Sequence, residues 1–432
     1  MDDKEILELA SKSTIYLHLR DEAGEVPSKY IQSQYFYNSF LKRNNFEVGR
    51  LPYPKEHQAH LDYLHESVEL GFTSTINQRI AKMFIDSNPF KFDAELSLKI
   101  PRESIFKYSY AQLHHSLFSW YTPSFYGRFF ISFENEAAID MSGVTLDWLS
   151  SLIEIFFKAN PEGDADSFTA PLFQPVSDDS NLYQPTGLYS DSVYKFAGSI
   201  VALALMHGIS TRVEFIPSFY RVVLEIEPYR FDDLNSQSPT VFKNLNSLKE
   251  AFNNHKPLDY YDFKTIAEVE KYIENYSADL LYRNHKPFLK AFATGFRSKI
   301  PRKISKYLDL IDLKNILKGP IAVTTEDFKR NLVLNTADSL TKQIFFQVID
   351  ELSQQDRFEL IKFVTGRHGL PFGGLAELPQ RIKVIFDMQP KDHLPTASTC
   401  TSTLHLAKFN SASELKSTLL KAFEYCGTLE NS

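Results

Sequence analysis

The sequence has little cysteine. Cys400 and Cys426 are its two cysteines in a chain of 432 residues. Two thiols in so long a chain do not make a disulfide framework, which predicts a reducing compartment. We therefore expect a cytoplasmic or nuclear protein, or one in the host cytosol if the chain is a pathogen effector.

The sequence also lacks an excess of positive charge and a long apolar run. Its formal net charge is −7, which argues against a nucleic-acid partner, because such proteins normally carry a basic face. The longest apolar stretch, Phe196–Ile209, is too short to span a bilayer and is typical of a buried helix. The acidic start, MDDKEILELA, does not have the pattern of a signal peptide. We expect no membrane span.

Aromatic residues are plentiful, with 36 Phe and 22 Tyr to fill the core. Apolar spacing predicts helices at residues 144–157, 191–209 and 265–283, while alternation predicts a strand at Arg128–Phe133. The polar stretch from Asn160 to about Ser190 is predicted to be a loop.

The C-terminal part alternates between helical and strand patterns, which predicts a small α/β unit of ordinary domain size. Residues 381–388 and 404–409 are predicted strands, and Ser413–Gly427 is predicted to be a final helix that ends at its glycine. A Gly-Pro pair stops the preceding helix, so we place a linker at Gly319–Thr325.

Cys400 lies between the two predicted C-terminal strands, in the polar stretch LPTASTCTSTLHL. Neighbouring hydroxyls and backbone N–H groups could hydrogen-bond a thiolate, which is the attacking form of cysteine. These residues alone support a reactive cysteine and a small buried residue at a strand edge about equally. The hydroxyl neighbours are Thr396, Ser398, Thr399, Thr401, Ser402 and Thr403.

An ordered set of motifs around Cys400 resembles the C-terminal lobe of HECT ubiquitin ligases. The threonine–cysteine pair alone is a weak signal, but the set occurs in the family's order and at similar spacing. The matching residues are Phe345-Phe346, Phe363-Val364-Thr365-Gly366, Pro371, Gly373-Gly374-Leu375, Leu394-Pro395, Thr399-Cys400, Leu404 and Leu406.

The resemblance extends upstream to about residue 90, across segments that match a strand, a helix and a central buried helix of the family's N-lobe. The matching residues are Phe133, Glu136, Asp140, Gly143, Trp148, Phe196, Gly198, Ala204, Phe292, Gly295 and Phe296.

The resemblance implies an α+β, bilobal fold with a mainly helical N-lobe and a small α/β C-lobe. We expect a helical extension at 1–85, an N-lobe at 86–318, a hinge at 319–325 and a C-lobe at 326–432. A shortened sublobe that docks the conjugating enzyme is expected at about 231–281.

The resemblance also implies the chemistry. Cys400 would accept ubiquitin as a thioester from a conjugating enzyme and pass it to a lysine of a protein substrate, with Thr399 in support. Tyr260, Tyr261 and Phe263 are candidates for docking the conjugating enzyme, although they could equally cover the sublobe core. No cofactor and no metal is expected.

Several positions depart from the family pattern. The histidine that often precedes the threonine–cysteine pair is Ser398, and the phenylalanine–asparagine that usually follows it is Thr401-Ser402. Leu146-Asp147 replace an arginine–glutamate pair, and Leu429 would fill the role of a C-terminal phenylalanine that orients the loaded lobe.

Two other readings compete with the ligase. One is a catalytically weak HECT-like scaffold that binds ubiquitin or a conjugating enzyme. The other is an unrelated cysteine hydrolase, which would need a histidine base such as His393 or His405. A zinc site formed by His57, His60 and His65 is not expected, because no cysteine or carboxylate set accompanies them.

Overall fold

The computed structural model describes residues 95–118, 128–134, 136, 143–158, 170–255, 261–300, 304–378, 380–387 and 393–429. The predicted extension at 1–85, its three histidines and Tyr260 lie outside these residues. No helix in the described ranges is both long and apolar enough to cross a bilayer.

The helices are numbered in chain order. The first part of the chain contains α1 (Ile105–Phe118), α2 (Gly143–Phe157), α3 (Asp191–Met206), α4 (Pro217–Val223), α5 (Leu234–Gln237), α6 (Pro239–Asn253), α7 (Ile266–Leu281), α8 (Lys286–Arg297) and α9 (Leu310–Lys318). The last part contains α10 (Thr325–Asn331), α11 (Ser339–Glu351), α12 (Gln354–Thr365) and α13 (Ala412–Leu429).

The strands form separate sheets. They are β1 (Glu95–Ile100), β2 (Arg128–Phe133), β3 (Phe173–Pro175), β4 (Leu182–Pro185), β5 (Glu214–Phe215), β6 (Val333–Asn335), β7 (Lys383–Asp387), β8 (Thr396–Ser398) and β9 (Thr403–Ala407). Strands β1 and β2 are parallel, and β3, β4 and β5 form a small mixed sheet. The C-terminal sheet has the order β6-β7-β9-β8, in which only β8 runs antiparallel to its neighbour.

A large hydrophobic cluster from Leu98 to Leu317 forms the core of the first part, which we call the N-lobe. Its centre is the contact between α3 and α8. A Cβ atom at Gly198 would lie 2.0 Å from the carbonyl oxygen of Phe292, and one at Gly295 would lie 1.8 Å from that of Lys195. The two helices therefore approach so closely that only glycine fits at either position.

A smaller cluster, from Leu234 to Leu281, joins α5, α6 and α7 into a sublobe of their own. A buried ion pair attaches it to the N-lobe, since Nε of Arg221 on α4 lies 2.9 Å from Oδ2 of Asp233. The residue range of this sublobe corresponds to the segment predicted to dock a conjugating enzyme.

A separate cluster from Val323 to Leu419 forms the core of the last part, the C-lobe. Val323 belongs to it, because its N–H donates to Gln354 Oε1 at 2.8 Å and its carbonyl accepts from Arg357 Nη1 at 2.7 Å. Thr324 caps α10. The segment between the two cores is thus residues 319–322, and the hinge at 319–325 stays a prediction.

Strand Arg128–Phe133 and the helices at 144–157 and 191–209 are confirmed to within a few residues. Two predictions are wrong. The predicted loop at 160–190 contains β3 and β4, whose backbone pairing stabilises strands too short to show alternation. The last helix continues past Gly427 to Leu429, because glycine is tolerated inside a helix at a cost of about 1 kcal/mol.

Candidate active site

Cys400 lies in a single 3-10 turn, residues 399–401, that joins β8 to β9. The backbone of Ser402 then takes a left-handed conformation, with φ of 48°, which brings the chain into β9. Strand β9 is central in the C-lobe sheet, so the cysteine is held at the end of a well-supported strand. Its thiol is free and partly exposed.

The hydroxyls around Cys400 stabilise the turn itself. Thr401 Oγ1 lies 2.9 Å from Thr403 Oγ1 and donates to the carbonyl oxygen of Ser398 at 3.3 Å. Thr403 Oγ1 in turn lies 3.2 Å from the carbonyl oxygen of Thr401. These side chains bond one another and the backbone, so their contribution is to the shape of the cysteine turn.

The cysteine turn packs against the first turn of α2 in the N-lobe. A Cβ atom at Gly143 would lie 2.2 Å from Thr399 Oγ1 and 3.2 Å from the backbone nitrogen of Cys400. Gly143 is therefore in direct contact with the residues that carry the thiol. Thr399, predicted to support the cysteine, forms the contact surface.

Arg102 ties the first turns of α2 to the end of β2. It donates to Glu136 and, through Nη2, to Asp147 Oδ2 at 2.8 Å, and its guanidinium lies 3.8 Å from the ring centre of Phe133. Burial opposes the charged form, but the two carboxylates raise the pKa of Arg102. Asp147, a departure from the family pattern, thus has a partner of its own.

Residues in the middle and at the end of α2 make hydrogen bonds and ion pairs with the C-lobe. Ser150 Oγ donates to the carbonyl oxygen of Gly366 and accepts from the N–H of His368, both at 2.9 Å. Glu154 Oε1 lies 2.6 Å from His368 Nδ1 and 3.2 Å from Lys362 Nζ. Burial favours the neutral acid, yet the contact with His368 and the charge of Lys362 hold the pKa of Glu154 well below its usual range.

A second contact between the lobes involves the loop that follows α3. The guanidinium of Arg367 donates to the carbonyl oxygen of His207. Beside it, Gly319 has a φ of 62°, and a Cβ atom there would lie 2.3 Å from Ser210 Oγ. Phe372 of the C-lobe packs on the N-lobe core. The contacts between the lobes thus include this hydrogen bond, the packing of Phe372, and the guanidinium of Arg212, which lies 3.7 Å from the ring centre of Phe358.

Comparison with known proteins identifies the architecture. The family model described as HECT-domain (ubiquitin-transferase) matches residues 165–432, which is more than half of the chain. The chain belongs to the HECT-domain family.

Curated relatives share part of their length with this HECT domain. The E3 ubiquitin-protein ligase HACE1 of Danio rerio is 28% identical over 316 residues, which cover 66% of this chain and 34% of that protein. The E3 ubiquitin-protein ligase UPL1 of Arabidopsis thaliana is 26% identical over 337 residues, covering 68% and 9% respectively. The chain therefore spans about a third or less of the length of these relatives.

The sublobe of this HECT domain carries an aromatic cluster on its surface. Tyr261 and Phe263 stack with ring centres 5.2 Å apart, and Tyr261 Oη lies 3.2 Å from Tyr272 Oη. That hydrogen bond raises the pKa of Tyr272 to about 12. Phe263 and Tyr272 also pack on the sublobe core, whereas Tyr261 and Tyr276 are exposed. One cluster thus contains both rings that cover the sublobe core and rings that are exposed, and the docking role stays a prediction.

The structure brings Cys400 and Thr399 to α2 of the N-lobe and places Tyr261 and Phe263 together in the sublobe. The backbone of Leu429 is the last residue of α13, and its side chain is not among those described. Sequence reasoning missed Ser150 and Glu154. Their signal is a polar residue at every third or fourth position of an otherwise apolar helix.

Proposed function

We propose that this HECT domain accepts ubiquitin as a thioester on Cys400 and transfers it to a lysine of a protein substrate. One observation carries the proposal. The free thiol of Cys400 is partly exposed in a turn at the end of a central strand, and the turn is held by its own hydroxyls. Family membership supports the same chemistry, and it favours a ligase over a non-catalytic scaffold.

The reaction needs two acyl transfers. The Cys400 thiolate attacks the thioester carbonyl of ubiquitin on a conjugating enzyme, whose thiolate leaves. A substrate amine then attacks the new thioester, and the Cys400 thiolate leaves while the amine nitrogen loses its proton to solvent. Such covalent catalysis divides one transfer into two steps.

We propose that the exposed aromatic cluster of the sublobe docks the conjugating enzyme. Exposed tyrosines are enriched in protein interfaces, because they combine a large apolar surface with a polar end. Tyr276 is 42% exposed and Tyr261 is 40% exposed. Tyr276→Ala should slow the loading of Cys400 in single-turnover assays without changing the melting temperature.

The proposed activity can be tested directly. The chain is incubated with activating enzyme, a panel of conjugating enzymes and ubiquitin, and the products are separated on non-reducing gels. We expect a ubiquitin adduct that thiol reductant removes and that Cys400→Ala abolishes. If no conjugating enzyme yields an adduct with the folded protein, the ligase proposal is wrong and the scaffold reading replaces it.

A further inference from the structure

Helix α2 has a polar face that is unusual for a helix so deeply buried. Trp148, Leu149 and Leu152 are fully buried in the N-lobe core. Gly143, Ser150 and Glu154 instead share the face that meets the C-lobe, since residues three, four and seven apart lie on one side of a helix.

Ser150 is the centre of this polar face. It is fully buried, and its hydroxyl donates to one backbone group of the C-lobe and accepts from another. Both partners lie just after α12, at the αL glycine that ends the helix and two residues beyond it. The hydroxyl thus has its bonds to Gly366 and His368 only while the lobes are docked, and undocking requires both to be replaced by water.

Glu154 extends the polar face by one turn and adds charge. It is the acceptor for His368 and Lys362 of the C-lobe, and its other oxygen lies 3.8 Å from Lys158 of the N-lobe. The carboxylate and Lys362 are both more than four-fifths buried. Such a desolvated pair is sensitive to geometry, so it fixes the rotation of the C-lobe about α2.

Gly143 lies at the opposite end of the same face, against Thr399 and Cys400. Docking through Ser150 and Glu154 therefore sets where the thiol comes to rest. The geometry points to α2 as a positioning element, in which Gly143, Ser150 and Glu154 hold the loaded Cys400 still for transfer to an amine. This inference rests on the proposed ligase activity.

Loading of Cys400 and transfer of ubiquitin from it to an amine should depend on the polar face of α2 to different degrees. Attack by an amine requires the thioester to be held in a fixed orientation, and a misplacement of about 1 Å can cost about a hundredfold in rate. Loading exchanges one thioester for another and is nearly balanced in energy. Loss of the α2 contacts should therefore slow transfer more than loading.

The test separates the two steps in the full chain. Cys400 is loaded with fluorescent ubiquitin in a single turnover, the supply is quenched, and loss of the thioester to free lysine is followed on non-reducing gels. Gly143→Ala is the main variant. Its backbone is helical, which suits alanine, but the new Cβ atom must displace the cysteine turn.

We expect Gly143→Ala to slow discharge by about tenfold or more and Glu154→Gln by about fivefold, with loading within about twofold of the parent chain. Glu154→Lys should also slow discharge, and a second change, Lys362→Glu, should partly restore it by reversing the pair. Lys158→Ala is the matched control, because Lys158 is 71% exposed and contacts Glu154 from within the N-lobe.

Melting temperatures identify variants that fail to fold. If Gly143→Ala is one of them, the double variant Glu154→Lys with Lys362→Glu provides the test, through its restored discharge. Equal slowing of both steps, or unchanged discharge in all α2 variants, would overturn the inference. Absence of any thioester on the parent chain would instead overturn the proposed function, so the two failures are distinguishable.

Discussion

Two of the close approaches that depend on glycine in this molecule differ in what surrounds them. Inside the N-lobe, α3 and α8 meet at Gly198 and Gly295, where the opposing backbone leaves no room for a Cβ atom. Between the lobes, a Cβ atom at Gly143 of α2 would instead meet the side chain of Thr399 and, at 3.2 Å, the backbone nitrogen of Cys400. In both contacts the neighbouring element lies too close to the glycine main chain to leave room for a Cβ atom.

The surroundings give the two contacts different strengths. Phe196, Phe292 and Phe296 flank the inner contact, and all three are fully buried. The contact between the lobes is instead bounded by Ser150 and Glu154, which bond polar groups that water can also satisfy. Apolar burial stabilises the inner contact, whereas the contact between the lobes exchanges hydrogen bonds to water for hydrogen bonds within the protein and adds less net stability.

The largest expected effect comes from the inner contact. Gly295→Ala should unfold or strongly destabilise the N-lobe, by about 3 kcal/mol or more, because the Cβ atom meets backbone on a packed helix rather than a movable side chain. Thermal and urea denaturation measure the loss. Thr294→Ala, at the exposed neighbouring position, is the control and should change stability little. A stable Gly295→Ala protein would remove the basis for this comparison.

An intermediate effect is expected where the lobes meet near the linker. Arg367→Met removes the donor to the His207 carbonyl oxygen and should weaken docking by about 1–3 kcal/mol, while each lobe keeps its core. A Cβ atom at Gly319 would lie 2.7 Å from the carbonyl oxygen of Leu370 in the C-lobe, so docking covers the bond after Lys318. Trypsin should therefore cleave after Lys318 faster than in the parent chain. An unchanged cleavage rate would show that Arg367 does not hold the lobes together.

The smallest expected effect is the pH dependence of stability that His207 causes. Burial, and then the charge of Arg367, lowers the pKa of His207 to about 3, and its Nε2 has no hydrogen-bond partner among the described residues. Below a pH of about 6.5 the unfolded chain binds a proton that the native state does not, so stability falls as the pH falls toward 3.

The corresponding variant is His207→Gln, which cannot take up that proton. As the pH falls below 6, the free energy of unfolding of the parent chain should decrease faster than that of His207→Gln. The difference should be up to about 1.4 kcal/mol per pH unit. Urea denaturation at pH 7 and at pH 5.5 measures the two slopes. Equal slopes would mean that His207 is protonated in the native state.

The sequence by itself determined the identity of most elements and singled out Cys400 as the candidate nucleophile. The buried helix at 191–206 follows from an apolar run too long for a strand, and Cys400 stands out as a thiol among hydroxyls between two strand patterns. The motifs of the HECT family are local in sequence, so they could be recognised without coordinates. Gly198 and Gly295 were recognised in the same way, but without the reason for their being glycine.

Only the tertiary structure decided which of these local features meet. Residues 143–154 and 362–368 are separated by some two hundred positions, and nothing in either segment states that it faces the other. Their contact depends on how two independently packed cores are placed, which is set by long-range geometry rather than by local pattern. For the same reason, the sequence allowed the hydroxyls of Thr401 and Thr403 to hydrogen-bond the thiolate, while the structure shows these two bonded to each other and to the backbone of the turn that carries Cys400.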